Sequence, residues 1–107
     1  MLNILITGAT GNVGIEVIKS LQKLSLPLNI VAGVRDATID SGKLRDYNID
    51  KVNFDVTDPS TFATAFKNIE VLFLLRPPQI SAVKKYFNPV INLVVESNIK
   101  HIVFLSV

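Results

Sequence analysis

The sequence predicts a doubly wound α/β fold, a parallel sheet of about five strands with helices on both faces. Three observations carry this. Hydrophobic residues make up 49% of the 107 positions and charged residues 19%, a balance that excludes intrinsic disorder and suits strands buried on both faces. Five short apolar runs, residues 2–7, 28–34, 51–54, 71–75 and 101–107, read as such strands, and all but the third are rich in Val, Ile, Leu or Phe with little alternation. Between them lie segments of helical periodicity with short connections, which implies right-handed crossovers and parallel pairing.

Taken in order, the first strand runs straight into glycines. The helix after it spans 12–24, with Val13, Val17, Leu21 and Leu24 as its apolar stripe and Glu16, Lys19 and Lys23 elsewhere. A weak helical segment follows the second strand at 40–47. After the third strand, Asp58 can cap backbone amides while Pro59 takes the first helical position, and Phe62, Ala65 and Phe66 supply an inner face. The last helical segment, 81–97, contains Pro89, which either kinks one long helix or starts a shorter one capped by Asn88. The final run, HIVFLSV, is apolar on both faces, and such a strand left as an open edge invites aggregation. The 107 residues are therefore expected to be one domain without internal boundary, truncated after strand five from a longer chain.

Composition narrows the chemistry. Net charge is +2 with eleven Lys and Arg scattered along the chain, so no footprint for a nucleic-acid backbone is visible. There is no cysteine and one histidine, His101, which argues against disulfides, thiolate nucleophiles and a metal site. His101 reads as a solvent-facing strand start. No apolar stretch approaches the about 18 residues of a membrane span, and the N-terminus lacks the pattern of a secretory leader, so a cytoplasmic protein is expected.

The strongest signal is Thr7-Gly8-Ala9-Thr10-Gly11-Asn12-Val13-Gly14, directly after the first strand and opening the first helix. The first glycine permits a tight turn, the second lets the backbone approach a pyrophosphate, and the third allows close packing of helix on strand. The helix N-terminus offers free amides and a partial positive charge to the phosphates. About twenty residues further on, Arg35 ends the second strand where an acidic residue would bind the ribose 2'-hydroxyl of NAD and an arginine can pair with the 2'-phosphate of NADP. Its other reading is a solvated loop charge, and Asp36 beside it keeps NAD in play, with NADP(H) favoured.

The G-x-x-G-x-x-G spacing resembles the extended and atypical short-chain dehydrogenase/reductases, a Rossmann superfamily, and within them the NmrA-like group of quinone-oxidoreductase-like and isoflavone-reductase-like enzymes and redox-sensing regulators. The resemblance spans the whole chain: TGATGNVG, VAGVRD, FDVTDPSTF, VLFLLRPP and NIKHIVFLSV. It implies NADP(H) binding through Gly8, Thr10, Gly11, Asn12, Val13, Gly14 and Arg35. It also implies a carboxylate near the adenine amino group at Asp55, with Val56 against the ring, and a nicotinamide-side ribose wall from Leu74, Leu75 and Arg76. Asp55 reads equally as a turn residue ahead of the Asp58 cap, and Arg76, before two prolines, as an exposed turn.

No catalytic residue is assigned. The resembling reductases use Tyr-x-x-x-Lys on the helix after strand five and a serine at that strand's end. Ser106 stands near the serine's place and reads equally as an ordinary strand end. Tyr47 and Lys51 match the spacing but precede strand three, a chance pair. Two functions stay open: the cofactor domain of an NAD(P)-dependent oxidoreductase, with a quinone or enone as substrate, and a non-catalytic NADP(H) sensor that reports to a protein partner.

Overall fold

The computed structural model describes residues 2–8, 12–24, 27–34, 49–55, 58–75, 83–97 and 99–105, with backbone alone at 12, 13, 75, 83–87, 95, 96 and 105. The elements are β1 (Leu2–Thr7), α1 (Asn12–Lys23), β2 (Leu28–Val34), β3 (Asp50–Asn53), α2 (Phe62–Ala65), β4 (Val71–Leu75), α3 (Val83–Glu96) and β5 (His101–Leu105). A single 3-10 turn, Pro59–Thr61, leads into α2. The helical segment expected at 40–47 lies outside the described residues.

The strands form one parallel sheet in the order β3-β2-β1-β4-β5. This is the order of a doubly wound sheet, in which the chain moves outward from β1 first in one direction and then in the other. Period-two alternation on β1 divides the core. Ile4 and Ile6 join Ile18 of α1 and Ile30, Ala32 and Val34 of β2 on one face. Leu5 joins Phe54, Phe62, Phe66, Leu72, Leu74, Val90 and Val94 on the other. Both faces of the central strands β1, β2 and β4 are therefore largely covered, as the unalternating apolar runs predict, whereas β5 is not the buried strand its apolar run suggests: Ile102, Val103 and Phe104 are 38%, 36% and 46% exposed at the edge of the sheet.

Several boundaries and faces differ from the sequence expectation. β3 is one residue earlier than 51–54, because Phe54 turns its ring into the α2 cluster while its N–H still donates to the Val34 carbonyl at 2.7 Å. β5 is described to Leu105, and 106–107 lie outside the described residues. The stripe expected on α1 is met in part: Val17 and Leu21 pack against the core, but the inner face is centred on Ile18, which is 0% exposed, and Gly14, which is buried, whereas Leu24 is 55% exposed in the turn after the helix. At 3.6 residues per turn, positions 14, 18 and 21 share a face from which 13 and 24 diverge. Asp58 does cap, accepting from the Ser60 N–H at 3.1 Å, and Phe62, Ala65 and Phe66 are all buried. Pro89 lies inside α3 rather than starting a second helix.

The amino edge of the sheet is closed by amides. The Asn3 side chain donates to the Asn68 carbonyl at 2.9 Å and accepts from Asn29 Nδ2 at 3.0 Å, while the Asn3 N–H donates to Glu70 Oε1 at 3.2 Å. Asn68 has φ 62°, a left-handed conformation that asparagine tolerates. Chain crossings at this edge are short and tied down.

Candidate dinucleotide site

At the carboxyl edge the sequence dictates a different geometry. β1 ends at Thr7, and Gly8 follows with φ 64°, a turn that a side chain would strain. The backbone re-enters helix at Asn12, and Gly14 is buried in the first turn of α1. The leading amides of a helix have no carbonyl within it to bond, and they carry the positive end of its dipole. Asn12, Val13 and Gly14 thus present main-chain donors at the end of the central strand. Thr10 and Gly11 lie outside the described residues.

Thr7 is 2% exposed, and its Oγ1 donates to the Phe73 carbonyl at 3.2 Å. The register between β1 and β4 ends at Ile6↔Phe73, so this side-chain bond sits where the two strands part. The parting between β1 and β4 is the topological switch point, the crevice in which open α/β sheets bind ligands.

On the other side of β1, Gly33 of β2 allows a close approach. A Cβ there would stand 3.2 Å from Phe54 Cβ and 3.4 Å from the Ile6 carbonyl. Phe54 fills that slot and stacks with Phe62 at 5.3 Å between ring centroids. Asp55 emerges at the carboxyl edge, half-buried, with its N–H donating to Thr61 Oγ1 at 3.1 Å.

The structure brings Gly8, the start of α1, Asp55 and the end of β4 to one edge of the sheet. It does not bring Leu74 to the site: that side chain is buried in the α2–α3 cluster, because period two turns it inward. Leu75 is described by its backbone at the edge. Arg35, Asp36, Val56, Arg76, Tyr47 and Ser106 lie outside the described residues. His101 is exposed at the start of β5, at the opposite edge, and Lys51 lies on β3. A hollow lined by Leu21, Gln22, Leu28, Asn29, Ile30, Ile49 and Asp50 also lies towards the amino edge, away from the glycine turn. Thr7, Gly33 and Thr61 were not singled out by sequence reasoning. The only signals were that Thr7 opens the glycine string and that Thr61 stands three residues after a capping aspartate.

The profile of the NmrA-like family matches residues 2–107. The chain belongs to the NmrA-like family. This NmrA-like chain is 34% identical over 106 residues to prestalk A differentiation protein A of Dictyostelium discoideum, covering 99% of the chain and 35% of that relative. Among solved structures it is similar to an NADPH-dependent quinone oxidoreductase from Escherichia coli, with 31% identity and TM-score 0.74 over 94% of the chain and 34% of the enzyme. The same enzyme complexed with NADPH gives a TM-score of 0.78. A triphenylmethane reductase from Citrobacter sp. gives 26% identity and TM-score 0.80 over 96% of the chain and 36% of the enzyme, and its complex with NADP(H) gives 0.79. The NmrA-like chain thus spans about a third of the length of these relatives. Among the described residues, no helix is long and apolar enough to cross a membrane.

Proposed function

We propose that this chain binds NADP(H) and forms the cofactor portion of an NAD(P)-dependent oxidoreductase. The observation that carries the reading is the unit of β1, the left-handed Gly8 turn and the N-terminus of α1, placed at the switch point of the sheet. Its chemistry fits a dinucleotide: main-chain amides and a helix dipole for the pyrophosphate, with no side chain at Gly8. Gly8, Thr10, Gly11, Asn12, Val13 and Gly14 hold the phosphates in this reading, Arg35 the 2'-phosphate, Asp55 and Val56 the adenine, and Leu75 and Arg76 the nicotinamide-side ribose. Support comes from solved relatives of the same fold complexed with NADPH or NADP(H). The cofactor, when bound, supplies hydride transfer, and the protein's part is to orient it and exclude water. A quinone or enone substrate is proposed on the same footing, and the further chain of a longer protein would carry its pocket.

A second reading keeps the same site without turnover. In it the same site senses NADP(H) for a protein partner. Turnover of a quinone with NADPH by the protein separates the two.

The test of the site is calorimetric titration with NADPH and NADH. NADPH is expected to bind more tightly. Arg35→Ala should weaken NADPH by about tenfold or more, the size of a charge-assisted pair, with little effect on NADH. Gly11→Val should abolish both while the circular dichroism stays that of a folded chain. Equal affinities in the Gly11→Val variant would sink the phosphate-loop reading.

A further inference from the structure

The two described sides of the corner that follows β3, Phe54 with Asp55 and Asp58 with Thr61, are tied to each other. On the inner side, Phe54 is locked by its N–H bond to the Val34 carbonyl and by the slot over Gly33. On the outer side, Asp55 N–H donates to Thr61 Oγ1 at 3.1 Å, Asp58 N–H donates to the Asp55 carbonyl at 2.9 Å, and Thr61 Oγ1 stands 2.8 Å from the Asp58 carbonyl. A hydroxyl has one proton. The 2.8 Å contact takes it, and the 3.3 Å approach to the Asp55 carbonyl is the weaker alternative. One threonine hydroxyl therefore accepts from Asp55 and donates to Asp58, closing the corner through both peptides.

The position of this corner matters. The end of β2 is where the adenosine ribose of a dinucleotide is held in sheets of this order. β3 is the next strand outward, and the dinucleotide reading puts the base beyond that ribose, at the carboxyl end of this strand. A carboxylate there can accept from an exocyclic amine, and a shift of its peptide by a fraction of an ångström changes that hydrogen bond.

We propose that Thr61 is the positioning residue of the adenine end: its hydroxyl fixes the Asp55 peptide and so sets the carboxylate that distinguishes a 6-amino purine from a 6-oxo purine. This rests on the dinucleotide reading of the site. Thr61 does not touch the base and acts only through Asp55. The hydroxyl is the active part of the side chain, so serine preserves the function and valine, of the same shape, removes it.

The experiment compares the affinities of the protein for NADPH and for its hypoxanthine analogue, in which the 6-amino group is replaced by a 6-oxo group. Wild type is expected to favour adenine by about tenfold, the worth of one hydrogen bond to a charged group. Thr61→Val should reduce the ratio to about two or less, Thr61→Ser should keep it near the wild-type value, and Asp55→Asn should lose it with Thr61 intact. A wild-type ratio in Thr61→Val overturns the proposal. So does a collapsed ratio in Thr61→Ser, which would assign the effect to packing, and so does an unfolded Thr61→Val, which would make the hydroxyl a support of the fold. Equal binding of the two dinucleotides by wild type overturns the proposal and leaves the dinucleotide reading standing, whereas binding of neither overturns both.

Discussion

At the scale of single residues, the site edge depends on small groups whose value comes from what lies across from them. Thr7 is the case with the clearest energetic sign. Its hydroxyl is buried and donates to Phe73, 66 positions away in sequence. Thr7→Val keeps the shape but leaves the Phe73 carbonyl without that donor, a loss of about 1 kcal/mol for a part-buried pair. Urea unfolding should show the midpoint falling with an unchanged slope; an unchanged midpoint would mean that the bond adds nothing over solvent. Such residues were the least legible in the sequence. Gly8 announces itself because a glycine after a strand and before a helix has a known use. Thr7, Gly33 and Thr61 look ordinary until β4, Phe54 and Asp55 are placed against them.

At the scale of elements, β1, β2 and β4 begin and end where their apolar runs do, because burial on both faces leaves such runs unbroken, whereas β5 has the same apolar run and is exposed at the edge of the sheet. The orientation of α1 was not legible. Val13, Ile15, Val17, Ile18, Leu21 and Leu24 surround much of its circumference, so periodicity allows more than one inner face, and contact with Ile4, Ile6 and Ile30 decides among them. Pro89 was ambiguous for a related reason: a lost hydrogen bond can be tolerated within a helix when the next turn is well packed, and Val90 and Val94 are buried behind it. The orientation of α1 yields a contrast that can be measured. Ile18→Ala should cost about 2–5 kcal/mol as a core truncation, while Leu24→Ala should stay within about 0.5 kcal/mol as a surface change. The opposite ranking in thermal or urea unfolding would restore the stripe through Leu24.

At the scale of the whole molecule, two apolar clusters lie on opposite faces of one sheet and share no side chain, and the question is whether they melt separately. β1 joins them, because its residues alternate between the clusters while its backbone pairs with both β2 and β4. Losing either cluster uncovers one face of every central strand, and a sheet with one bare apolar face has lost much of the burial that offsets its conformational entropy. The clusters should therefore unfold as one unit. Leu5→Ala and Ile6→Ala are adjacent truncations that strike opposite faces, both side chains being fully buried. Each should cost about 2–5 kcal/mol, a large part of the about 5–15 kcal/mol that stabilises a domain of this kind. Unfolding of each variant should remain a single transition, with circular dichroism at 222 nm and hydrogen exchange of the α1 and α3 amides reporting the same midpoint. A variant in which α3 exchanges early while α1 stays protected, or the reverse, would show that the two faces are independent units and that β1 does not couple them. Coupling through β1 has a functional consequence as well. Gly8 at the end of β1 and Asp55 beyond β3 are then held by one cooperative structure, so the spacing across the carboxyl edge, on which the proposed dinucleotide site depends, is fixed by the fold itself.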